Sequence, residues 1–136
     1  GDAGEGLDFS GNFEYAVNAR GDGGSVIGDA IFTNDSGIIS SNQEINDWHI
    51  TNYGSSANDN SLEFIMKSIR WSHIPEEFNV TLNNLTVGND YSMQLLFAED
   101  YCNHGFDIFA DGQIIWGNFL LMDFKGVSVT LVAAHL

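Results

Sequence analysis

The chain's 136 residues suit one domain with a buried core, and 43% apolar with 12% aromatic content argues against disorder. No run of about 18 apolar residues is present to cross a bilayer as a helix. Four basic residues against nineteen acidic ones give a formal charge of −15, which disfavours nucleic acid phosphates and anionic lipid and leaves cations, neutral ligands such as sugars, or a basic protein surface.

Fifteen glycines and a single proline, with Gly and Asn recurring between short apolar runs, give the punctuation of a β domain with many turns. In chain order the predicted strands are Phe13–Ala19, Ala30–Phe32, Phe78–Leu82, Tyr91–Ala98, Phe106–Ala110, Gln113–Trp116 and Val127–Val132. Ser61 to Lys67 breaks the pattern: Ser61 can cap a first turn, and Leu62, Ile65 and Met66 share a helical face, so a short helix leads into Ser68–Trp71. Tyr91, Met93, Leu95 and Phe97 alternate with Ser92, Gln94, Leu96 and Ala98, and Phe106, Ile108 and Ala110 repeat the two-residue period before Asp111-Gly112, a hairpin signal. These segments read as consecutive strands of a β-sandwich.

The weakly patterned stretch from Asn34 to Asn60 carries Trp48, His49 and Tyr53. Long loops in compact domains tend to be functional, and aromatic anchors that plug the end of a sandwich explain the same residues. Asp22, Asp29, Asp35, Asp47 and Asp59 sit in Gly- and Asn-rich loops, where a structural calcium competes with plain solvated turn carboxylates. Glu99 and Asp100 are adjacent in a strand and so face opposite sides, which is not the opposed pair that glycoside hydrolysis needs. The lone Cys102 excludes an internal disulfide, and Cys102 with His104 is too small a set for structural zinc. Arg20-Gly21-Asp22 spells an integrin-type tripeptide, and a glycine-dependent turn accounts for it equally. The start at Gly1-Asp-Ala-Gly without Met fits a mature or trimmed chain. The acceptor patterns at Asn34, Asn79 and Asn84 suit an extracytoplasmic, secreted or lumenal setting.

The order Leu95-Leu-Phe-Ala-Glu99, a short loop, Phe106-Asp-Ile108 and then Asp111-Gly112 resembles the central signature of malectin-like carbohydrate-binding domains. Phe13-Glu-Tyr-Ala-Val-Asn-Ala-Arg-Gly21 resembles that family's first strand, and Ala30-Ile-Phe-Thr-Asn-Asp35 its next segment. Asn52-Tyr-Gly54 resembles an Asp-Tyr-Gly-like loop, and Leu62 to Trp71 the stretch that ends in Arg plus an aromatic. The resemblance implies an all-β, jelly-roll β-sandwich (galactose-binding-like or malectin-like) with one short helix, spanning residues 1–136 as a single domain. It implies Phe32, Tyr53 and Trp71 as sugar-facing rings, with Asp29, Asn52 and His73 as polar partners for hydroxyls. Phe32 stands where the family often has Tyr. The chain ends at Leu136, before the family's final strand and its acidic ligand residue, which leaves a truncation, an abandoned sugar site, or strand addition by a partner chain.

The expected function is non-catalytic recognition of a neutral glycan, with no cofactor beyond the calcium alternative. The rival is an accessory subunit that docks in a protein assembly through a basic neighbour or an added strand. The two separate on the rings: convergence of Tyr53, Phe32 and Trp71 on an open groove favours the glycan, and burial of them favours docking.

Overall fold

The computed structural model describes residues 7–50, 52–97, 104–110, 113–121 and 125–132. Over these residues the chain is mainly β with one short helix. The order is β1 (Val26–Ile27), β2 (Ala30–Ile31), β3 (Gln43–Ile45), α1 (Ala57–Lys67), β4 (Ile69–Trp71), β5 (Asp90–Phe97), β6 (His104–Ala110), β7 (Gln113–Leu121) and β8 (Lys125–Val132). The strands pair antiparallel in two-stranded sheets: β1 with β2, β3 with β4, β5 with β8, and β6 with β7.

The β1–β2 turn needs its glycine. Gly28 has φ +53°, and a Cβ there would lie 2.6 Å from the carbonyl oxygen of Phe9, so the N-terminal segment can press directly on the turn. The Asp29 N–H donates to that same oxygen at 2.8 Å. This places Phe9 edge-on to Phe32, with ring centroids 6.2 Å apart.

Helix α1 begins five residues before the predicted start, because Ser56 rather than Ser61 is its cap. The Ser56 hydroxyl accepts from the Asp59 N–H at 3.0 Å, and the Asp59 carboxylate accepts from the Ser56 N–H at 3.2 Å, a closed capping box. Asp59 in the first turn and Lys67 in the last complement the helix dipole. Leu62, Ile65 and Met66 form the buried face as expected and join Ile27, Ala30, Phe32 and Tyr53 in the core. Ser68 then turns to extended geometry and β4 starts.

Two predicted strands are not strands. Phe13–Ala19 makes only an isolated parallel bridge, Val17 to Thr33, and Phe78–Leu82 only an antiparallel one, Val80 to Ile39. In both, the alternating pattern is present but a single neighbouring segment offers hydrogen bonds over too few residues to build a ladder. The long Asn34–Asn60 stretch, by contrast, contains β3 and the start of α1.

Strands β5 to β8 follow the predicted order and extend it. The β5–β8 ladder runs from Asp90 opposite Val132 to Phe97 opposite Lys125. The β6–β7 ladder runs from His104 opposite Leu121 to Ala110 opposite Gln113, with register shifts on either side of Ile108. The Gln94 amide clamps the N-terminal segment, accepting from the Asp8 N–H at 2.7 Å and donating to the Asp8 carbonyl at 2.6 Å. Leu96, on the same strand face as Gln94, packs against the core.

Candidate functional site

The six residues expected to line a sugar site fall in separate places. Phe32 and Tyr53 are core residues, 5% and 6% exposed, so their faces are covered by protein and give a sugar ring nothing to stack on. Tyr53 fills the plug role foreseen for the aromatics of the long loop. Its N–H donates to Glu63 of α1 at 2.8 Å, and the Asn52 side chain closes a local turn by accepting from the Gly54 N–H at 2.9 Å. Asp29 is exposed at the β1–β2 turn, where its carboxylate accepts from the Gly11 N–H at 2.8 Å. Trp71 and His73 come together away from that core, edge to face with centroids 4.6 Å apart, at the end of β4.

A charged cluster not foreseen from the sequence lies beside β4. Arg70 donates to both oxygens of the buried Asp35, at 2.7 and 3.2 Å, and to Glu44 at 3.3 Å. Asp35 also accepts from the Arg20 N–H at 2.8 Å, and the Arg20 guanidinium lies 3.3 Å from Glu44. Burial pushes the Asp35 carboxyl up, but the hydrogen bonds from Arg70 and Arg20 and the Arg70 charge outweigh it and hold it below the usual carboxylate range. Arg20 takes φ +67°. Gly21 is buried, and a Cβ there would strike the Asn18 amide and the Ser68 hydroxyl. Within the Arg20-Gly21-Asp22 tripeptide the glycine is thus buried and the Arg20 guanidinium is engaged by Glu44, while Asp22 is exposed. The signal available in the sequence was the scarcity of cations: two of four basic residues are arginines flanking one acidic loop.

Three of the five carboxylates weighed for calcium are engaged elsewhere, Asp35 by the arginines, Asp59 by the helix cap and Asp29 by the Gly11 N–H. Among the described residues no group of three His, Cys, Asp or Glu side chains gathers to hold a metal ion, and no helix is long and apolar enough to cross a membrane. Glu99, Asp100 and Cys102 lie outside the described residues.

A polar cleft of about 210 Å³ opens between Ser40–Gln43 and the turn that follows β4, lined by Ser72, Glu76, Glu77 and Phe78. Its walls are tied together. The Ser40 N–H donates to the Asn79 carbonyl at 3.0 Å, the Asn79 N–H to the Ser40 hydroxyl at 2.8 Å, and the Thr81 N–H to the Ile38 carbonyl at 2.9 Å. The Ser41 hydroxyl donates to the Trp71 carbonyl, and the Ser72 hydroxyl to the Glu76 carbonyl at 2.9 Å. On the same turn, which contains a cis Ile74–Pro75 peptide, Ile74 is 97% exposed and Phe78 39% exposed. Gln43 and Trp71 are directly opposed across β3 and β4, which puts the Trp71–His73 pair at the margin of the cleft.

No family model matches the chain, and neither a curated protein nor a solved structure matches it.

Proposed function

We propose that the chain is a non-catalytic accessory module that docks onto a basic protein surface in an extracytoplasmic assembly. One observation carries this reading: Ile74 and Phe78 stand in solvent on the same turn as Glu76 and Glu77. Exposed apolar side chains set beside carboxylates that have no cationic partner among the described residues have the make-up of a protein contact, an apolar centre with a charged rim. The surrounding field is strongly negative, because Arg20 and Arg70 spend their charge on Asp35 and Glu44 while the chain carries −15 overall.

A jelly-roll arrangement of malectin-like type belongs to the same proposal. Its support is the nesting of the β6–β7 ladder inside the β5–β8 ladder, the pairing that a rolled-up long hairpin produces. The carbohydrate reading keeps one specific support, the Trp71–His73 pair beside the polar cleft, and loses Tyr53 and Phe32 as stacking surfaces.

Biosensor binding to a panel of basic and neutral proteins, run beside a glycan array, tests the choice. Docking predicts salt-sensitive capture of the basic proteins that weakens in Ile74→Asp, with a silent glycan array. Strong glycan capture that needs Trp71, together with no protein binding, would reverse it.

A further inference from the structure

We infer that the cleft between Ser40–Gln43 and Glu76–Phe78 receives an arginine side chain of the docking partner. The inference rests on the docking reading and names what that surface grips.

The two carboxylates in the lining favour a cationic, donor-rich guest. The Ser41 and Ser72 hydroxyls already donate to the carbonyls of Trp71 and Glu76, and Ser41 also accepts from the Gln43 N–H at 3.1 Å, so what they offer a guest is the remaining lone pairs. The Glu76 and Glu77 carboxylates accept only, and among the described residues neither has a cationic partner. The amides of Asn42 and Gln43 add two carbonyl oxygens and two NH2 groups. A wall so rich in acceptors complements a group that only donates, and guanidinium has five N–H donors and no acceptor. The Asn42 and Gln43 amide N–H groups and the Ser40 hydroxyl, which accepts from Asn79, could also serve a sugar; the two carboxylates, which accept only and carry charge, are what favour the cation.

Shape and charge agree. The volume of about 210 Å³ is below the roughly 300–1,000 Å³ of pockets for drug-sized ligands, which suits one side chain reaching in from a surface. Phe78 lines the same space and is part exposed, giving a planar cation a face to stack on beside carboxylates that can take it in a fork. Lysine has neither the plane nor the fork, so arginine is selected over it. The ties from Ser40 to Asn79 and from Thr81 to Ile38 fix the two walls before the guest arrives, which reduces the ordering cost of binding.

The test uses a fluorescein-labelled Gly-Arg repeat peptide, the same peptide with lysine, and one with citrulline, the neutral isostere of arginine, followed by anisotropy at low and high salt. The arginine peptide should bind, the lysine peptide more weakly, and the citrulline peptide at least about tenfold more weakly, as loss of a charge-assisted pair implies. Glu76→Gln with Glu77→Gln should weaken the arginine peptide about tenfold, and Phe78→Ala severalfold. The charge-matched pair Glu14→Gln with Asp90→Asn, outside the cleft, should change it by less than about twofold. All of these positions are exposed, and an unchanged amide NMR spectrum certifies each fold. Equal loss in both double variants would mean bulk charge alone, overturning the cleft and leaving the docking reading intact. No binding of any cationic peptide by the wild-type chain would overturn both. Maltose or cellobiose shifting the Asn42 and Gln43 side-chain amide signals, while the arginine peptide leaves them unmoved, would overturn the assignment in favour of a sugar.

Discussion

Arg70 holds Asp35 in a fork, with Nε 2.7 Å from Oδ2 and Nη2 3.2 Å from Oδ1. The contact joins residues 35 positions apart and fastens β4 to the loop that follows β2. The Asp35 side chain is 7% exposed and that of Arg70 18%, so removing one partner strands the other away from water. Arg70→Ala should cost about 2–4 kcal/mol, slightly below the range for fully buried pairs because the Arg70 rim is wet. Urea denaturation measures it, and a loss under half a kcal/mol would mean the fork is idle.

The same pair sets a pH dependence. The folded Asp35 pKa is held below its ordinary 3.8, so its contribution is complete above that value and is lost as pH falls through the lower folded one. Melting curves from pH 7 to pH 2 should show the wild-type chain losing more stability below about pH 4 than Asp35→Asn, which has no proton to take up there. Parallel losses in the two proteins would remove Asp35 from the account.

Gly21 is a second structural constraint close by. An added Cβ collides with Asn18 and Ser68, whose buried hydrogen bond measures 2.9 Å. Gly21→Ala should destabilise by about 2–4 kcal/mol through overpacking and a broken buried polar contact, read from the denaturation midpoint. The double variant with Asn18→Ala makes room and should cost less than the sum of the two singles.

Loss of the helix cap is a milder lesion. Ser56→Ala removes the acceptor for the Asp59 N–H and should cost about 1 kcal/mol. Amide exchange should quicken in the first turn of α1 and stay slow around Ile65. Faster exchange along the entire helix would mean the cap nucleates more than its own turn.

Tyr53→Ala distinguishes a core residue from a binding residue. With Tyr53 6% exposed among Leu62, Ile65 and Met66, truncation should cost about 3–5 kcal/mol by leaving a cavity. His73→Ala, at an exposed position, should stay within about 0.5 kcal/mol. A Tyr53→Ala protein as stable as wild type would return that ring to the surface.

Much of the β architecture was legible in the sequence because β5, β6 and β8 carry two-residue alternation, and α1 because Leu62, Ile65 and Met66 fall on one face. Strand status failed where alternation met no partner: Val17 and Val80 each found a single bridge. The inward placement of two of the expected rings escaped the sequence for a different reason. An aromatic in a polar loop can anchor the loop or face solvent, and sequence spacing is the same in both cases; Tyr53 and Phe32 went inward. The ion cluster was hidden because Asp35 and Arg70 are far apart in the chain, and only β3 pairing with β4 brings Glu44 opposite Arg70. The cleft was hidden likewise, since its two walls meet through contacts between residues about 40 positions apart, Ser40 with Asn79 and Ile38 with Thr81.

The nesting of β6–β7 within β5–β8 also dictates an order of assembly. Closing Phe97 against Lys125 directly would spend the entropy of a long free loop. Once the inner hairpin has formed, only short connectors remain on either side, and the outer strands are delivered to each other almost for free. Refolding should therefore protect the amides of β6 and β7 before those of β5 and β8 in pulsed hydrogen exchange. Early protection of Met93 and Val129 ahead of the inner pair would show that the chain reaches its native register by another route.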